Sequence, residues 1–163
     1  MSMGDKPNLP FARPMIGDAE RSAVQRVMNN PMLVHGPESE NFEKAFADFT
    51  GAPHAVSVSS CAAALHLAYL HIGLGPGDEV IVPAQTHTAT AHAVEFCGAT
   101  PIFVDCNPAD GNIAVEDIER HISDNTKAIS IVHFLGVPVN MTRINELATK
   151  YDLFVVEDAA LAV

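Results

Sequence analysis

Three short stretches of this chain carry side chains that could do chemistry. In Ser59-Ser-Cys-Ala-Ala63, small residues lead into an alanine- and leucine-rich segment. Backbone N–H groups there could approach a ligand closely, and at a helix N-terminus they and the helix dipole suit a phosphate. Serine has a simpler use at such a place, capping the helix, and the local residues leave both readings open. A helix N-terminus would lower the thiol pKa of Cys61, but no base lies near it in sequence, so it reads as a small residue in a tight loop. His87 opens a second helical segment, where its flat ring could stack on a flat cofactor. Glu157-Asp158 closes the apolar run Leu153-Phe-Val-Val156. A carboxylate held dry at that point could pair with a cationic ring nitrogen or a metal, or it could cap a helix or sit on a wet rim.

Other groups carry less. His66 and His71, like His87 and His92, are five residues apart, so neither pair shares a helix face as an i, i+4 pair would, and no cluster has zinc spacing. Gly73-Leu-Gly-Pro-Gly77 lies after a helical segment and before an apolar run, the reverse of a dinucleotide fingerprint, and reads as a helix end followed by a turn. His133, Asp158 and Ser60 assemble into a triad only on paper, since no GxSxG elbow accompanies them. Asn140-Met-Thr142 matches a glycosylation sequon, which means nothing without secretion.

The elements that must position these residues follow from periodicity. Met1 to Pro14 reads as an arm, with prolines at 7, 10 and 14 preventing a long helix. Asp18 to Asn29 is expected to be helical, and His35-Gly-Pro37 a turn. Phe42, Ala45, Phe46 and Phe49 then mark one face of a helix that closes at Gly51. Strands are expected over His54–Val58, Glu79–Val82, Pro101–Val104, Lys127–His133 and Leu153–Val156. Helices alternate with them over Cys61–Ile72, Thr86–Cys97, Ala114–His121 and Met141–Lys150. Short apolar strands alternating with helices describe a doubly wound α/β fold with a mainly parallel sheet. Residues 1–35 form the arm and first helix, and 36–163 part of one large domain. In such sheets a ligand lies beyond the carboxyl ends of the strands. Function should therefore reside in 59–62, 83–87, 105–108, 133–136 and 157–161.

Composition narrows the partners. The 163 residues carry 9 basic and 20 acidic side chains for a net charge of -11, which argues against nucleic acid or an anionic membrane as partner. At 48% hydrophobic the chain can bury a core, and no apolar run approaches the roughly 20 residues of a membrane span. The polar, proline-bearing start does not read as a signal peptide. Three cysteines without a CxxC fit a reducing cytoplasm.

Taken in order, these stretches resemble the DegT/DnrJ-type sugar aminotransferases among the fold-type I, aspartate aminotransferase-like pyridoxal-phosphate enzymes. The resemblance rests on Ala12-Arg-Pro14, Gly36-Pro37 with Phe42-Glu43, His54 to Ser60, Ala63 to Ala68, Gly75 to Pro83 and Thr86 to Val94. It continues through Gly98 to Asp105, Asn112-Ile113, Thr126-Lys-Ala128, Val132-His133 and Val156-Glu-Asp-Ala-Ala160. It implies that Ser60, Cys61 and Ala62 cradle the cofactor phosphate and that His87 stacks on the pyridine, where the family has phenylalanine or tryptophan. Asp158 would be the catalytic partner of the protonated ring nitrogen, and Leu161 would lie near the ring where the family has glutamine or histidine. The family's Ser-Gly-Thr loop is here Ser60-Cys61-Ala62, without the threonine hydroxyl, and its His-x-Tyr-Gly is His133-Phe-Leu-Gly136.

The resemblance further implies a cytoplasmic homodimer that takes an amino group from glutamate to a nucleotide-linked keto-sugar, in amino-sugar biosynthesis such as that of cell-surface polysaccharide. Alternatives are a sugar 3-dehydratase of the same fold and a non-catalytic fragment holding phosphate or nucleotide. Family members run to well over twice this length, so the chain is expected to be an N-terminal fragment without the Schiff-base lysine and the small domain, inactive alone.

Overall fold

The computed structural model describes residues 12–34 and 36–162. Two compact units divide the chain, Met1–Ser57 and Val58–Val163.

The first unit holds helices α1 (Asp18–Met28) and α2 (Pro37–Thr50). In α1 the Glu20 carboxylate accepts the Gly17 N–H at 2.6 Å, satisfying one of the donors a helix start leaves free. Pro37 takes the first position of α2, where its missing N–H costs nothing, and Phe42 and Phe46 pack with ring centroids 5.8 Å apart. His35 lies outside the described residues, as do Met1–Phe11 and Val163.

The expected strand at His54–Val58 does not form. The Glu43 carboxylate accepts both the N–H and the hydroxyl of Ser57 at 2.7 Å, so a side chain from α2 occupies a donor that a ladder would use. Val56 is left 78% exposed. A strand is completed only by a neighbour, and among the described residues none pairs with this segment.

The second unit has the doubly wound α/β architecture read from the sequence. After α3 (Cys61–His71) come β1 (Glu79–Pro83), α4 (Thr88–Phe96), β2 (Thr100–Val104), α5 (Val115–Ile118), β3 (Thr126–Val132), α6 (Met141–Tyr151) and β4 (Phe154–Asp158). The expected helix at Ala114–His121 is one α-turn continued by a 3-10 turn, Glu119–His121. Gly73, with φ +76°, takes the left-handed conformation that ends α3, and the Leu74 N–H bonds back to Tyr69 at 3.0 Å. That accounts for the first glycine of the Gly-Leu-Gly-Pro-Gly run as a helix end.

All strands run parallel in the order β2-β1-β3-β4. The direction of winding reverses between β1 and β3, and the crevice above that point is where such sheets bind ligands. Side chains alternate across the sheet. Val80, Val82 and Ala128 pack with Leu65, Tyr69, Ala93 and Val94 of α3 and α4. Ile81, Ile129 and Ile131 pack with Ile118 and Ile144 of α5 and α6 on the other face. With both faces covered, the central strands are mostly apolar, with Ser130 of β3 a buried exception, and the carboxyl edge is left to the polar residues.

Candidate functional site

Two of the helices that begin at that edge carry the candidate residues, and each start is fixed by its own sequence. Ser60 is extended (φ −166°, ψ 161°), and its Oγ accepts the Ala63 N–H at 3.2 Å. Capping and an anion cradle are therefore compatible. Ser60 satisfies the N–H of Ala63, while those of Cys61 and Ala62 have no acceptor among the described residues. At α4 the cap is His87, whose Nδ1 accepts the Ala89 N–H at 3.1 Å. This bond fixes the ring plane, and the exposed ring stands at the start of its helix.

Asp158 ends β4 and is 6% exposed. Its Oδ1 accepts the Ala160 N–H at 3.0 Å and the Cys61 thiol at 3.4 Å, and its Oδ2 accepts the Thr90 hydroxyl at 3.4 Å. Thr90 is wholly buried and in turn shares a 2.8 Å hydrogen bond with the Thr86 hydroxyl. Every one of these partners is neutral. No lysine, arginine or histidine bridges Asp158 among the described residues. A buried carboxylate surrounded only by neutral donors is suited to a cation arriving from outside the chain.

The same contact reverses the expectation for Cys61. Its thiol is pushed up to about 11, first by burial, then by the Asp158 charge and the hydrogen bond to it. The helix dipole acts only locally and is outweighed by a formal charge within hydrogen-bonding distance.

The His133 backbone N–H donates to the Asp158 carbonyl at 3.1 Å, but its imidazole is engaged away from the Asp158 carboxylate. Its Nδ1 accepts the Val139 N–H at 3.1 Å and its Nε2 faces Glu157 Oε2 at 3.2 Å. Asp158 is occupied by Cys61, Thr90 and Ala160, so the paper triad with Ser60 does not assemble. No group of three histidine, cysteine or acidic side chains among the described residues could hold a metal.

Leu161 is 65% exposed, and its carbonyl is the part that meets the fold. The turn after β3, Phe134–Gly136, lies against it so closely that a Cβ on Gly136 would come within 2.9 Å of the Leu161 oxygen. Gly136 also has φ +83°. Gly136→Ala is expected to destabilise the protein by about 2 to 5 kcal/mol, from left-handed strain and overpacking. Gly75→Ala, with open space around it, should be nearly neutral. Urea unfolding of both variants checks this, and equal midpoints would refute the close approach.

Sequence reasoning placed Ser60, Cys61, Ala62, His87 and Asp158, and the structure brings Cys61 and Asp158 into contact. It missed Thr86 and Thr90. The available signal was two hydroxyls four residues apart at the start of an expected helix on the ligand edge.

Comparison with known proteins identifies the family. Residues 14–163 match the DegT/DnrJ/EryC1/StrS aminotransferase family. The chain is 43% identical over 162 residues to GDP-perosamine synthase of Caulobacter vibrioides, covering 99% of this chain and 44% of that protein. Among solved structures, it is 41% identical to S. venezuelae DesV in complex with a ketimine intermediate, with a TM-score of 0.85 over 87% of this chain and 38% of that one. NtdA from Bacillus subtilis with bound cofactor PMP is 34% identical, with a TM-score of 0.84 over 91% and 35%. The chain therefore spans less than half the length of each of these relatives.

Proposed function

Because the chain belongs to the DegT/DnrJ/EryC1/StrS aminotransferase family, we propose that it forms the cofactor-holding part of a pyridoxal-phosphate aminotransferase. The substrates in this reading are glutamate as amino donor and a nucleotide-linked keto-sugar as acceptor, and the likeness to GDP-perosamine synthase supports that class. Residues 36–163 then belong to the large, cofactor-binding domain. A homodimeric, cytoplasmic enzyme making amino sugars for cell-surface polysaccharide completes the proposal. The free state of all three cysteines suits the cytoplasm. Among the described residues no helix is long and apolar enough to cross a membrane.

The observation that carries the reading is the buried Asp158 carboxylate with only neutral partners. A protonated pyridine nitrogen is the cation it lacks. Bound pyridoxal phosphate supplies an electron sink for the carbon bearing the amino group. Asp158 would keep the proton on the ring nitrogen, which maintains that sink. The N–H groups of Cys61 and Ala62, with Ser60 beside them, would hold the phosphate at the positive end of α3. His87 would cover one face of the ring and keep water from it.

The test is a titration of the 163-residue protein with pyridoxal phosphate, followed by absorbance. Saturable binding is expected, unchanged in His87→Phe and weakened up to roughly tenfold in His87→Ala, the loss of one aromatic stack of about 1.5 kcal/mol. Equal affinity in the two variants would remove His87 from the site. No saturable binding by the wild type would remove the proposal.

A further inference from the structure

We propose that Cys61 and Thr90 are positioning residues that clamp Asp158 by its two oxygens and hold its plane toward the pyridine nitrogen. The proposal rests on the cofactor reading above and deepens it. A carboxylate turns easily about its terminal torsion, whose well is broad, so burial alone does not aim it. Here the two oxygens are held from different elements. Cys61 at the start of α3 donates to Oδ1 at 3.4 Å, and Thr90 in the first turn of α4 donates to Oδ2 at 3.4 Å. Ala160 adds a backbone donor to Oδ1 at 3.0 Å, and Thr86 stands 2.8 Å behind Thr90, fixing that hydroxyl.

The two side-chain bonds are long, and each is weak by itself. The clamp comes from their approach on opposite oxygens. Neutral donors also orient the carboxylate without cancelling the charge that a pyridinium needs, whereas a lysine or arginine there would compete with the ring.

A donor must keep its proton. The Cys61 thiol, held at about 11, is protonated at neutral pH. Tyr69 of α3, the other group that feels the Asp158 charge, is pushed up to about 12, chiefly by burial, so it stays neutral across the range that matters.

Two measurements test the clamp. The first uses the protein without cofactor and follows iodoacetamide modification of Cys61, resolved by peptide mass spectrometry, as a function of pH. Thiolate is the reacting form, so Asp158→Asn, which removes the charge and leaves the burial, should move the profile to lower pH and speed modification at pH 8 several-fold. An unchanged profile would mean that burial alone sets the thiol and would overturn the Cys61 arm. The second compares pyridoxal phosphate affinity in Thr90→Ser and Thr90→Val. If the hydroxyl holds Asp158, serine stays near wild type and valine binds several-fold more weakly. If Thr90 only fills space, valine is the better replacement, and that order would overturn the Thr90 arm. Failure of the wild type to bind the cofactor would sink the functional reading itself. Normal binding with an unmoved alkylation profile would sink the Cys61 arm and leave that reading standing.

Discussion

Asp158→Asn is expected to leave the sheet folded and to weaken pyridoxal phosphate binding by roughly 100- to 1,000-fold, the effect of removing one partner of a buried charge pair. The carboxamide has nearly the same shape. Its oxygen can still accept from Ala160, and its nitrogen can donate to the Thr90 hydroxyl, so the apo protein loses little. Its melting temperature should not fall, since a buried carboxylate without a cation is itself costly to fold. The cofactor loses its counter-charge, and with it the reason for its ring nitrogen to stay protonated. Titration of the cofactor with a thermal melt of each variant separates the two effects. Near-wild-type affinity would show that Asp158 does not face the ring. A collapsed melt would show that its role is structural.

A second large effect is expected at the lysines. Pyridoxal phosphate added to the 163-residue protein and reduced with borohydride should label none of Lys44, Lys127 and Lys150 stoichiometrically, and glutamate should not turn over through any of them. Lys127 lies at the amino end of β3, in the irregularity where β3 slips against β1. From there to Val132 is five residues at about 3.3 Å each, or roughly 16 Å, more than a lysine side chain can span. Lys150 donates at 2.5 Å to Glu119, which also holds the Tyr151 hydroxyl at 2.6 Å. Lys44 is an exposed residue of α2 in the first unit. Lys6 lies outside the described residues and is covered by the same labelling. A single stoichiometric label on one of these four, with turnover lost on its replacement by alanine, would overturn the edge placement.

Much of the second unit was legible in sequence because its signals are local. β1 and β3 are central strands buried on both faces, and this shows as apolar runs, Val80-Ile-Val82 in β1 and Ala128 to Val132, interrupted only by Ser130, in β3. Ser60 and His87 announce helix starts by their own side chains. His54–Val58 has the same apolar look and misled, because apolar character states a preference and pairing is supplied by distant chain. Thr90 was invisible as a site residue because threonine in a helix is ordinary until its partner is known.

The sequence by itself determined the alternation of strand and helix, and therefore which edge of the sheet carries the helix starts and the acidic strand end. Periodicity, caps and turn residues act over a few positions and can be read there. Only the tertiary structure decided what that edge can do. Asp158 became a buried carboxylate with neutral partners by meeting residues 97 and 68 positions away. The thiol of Cys61 rose instead of falling because burial and a distant charge outweighed the local dipole. Both outcomes depend on which groups fold within hydrogen-bonding distance, and electrostatics in a dry site is set by those neighbours rather than by spacing along the chain.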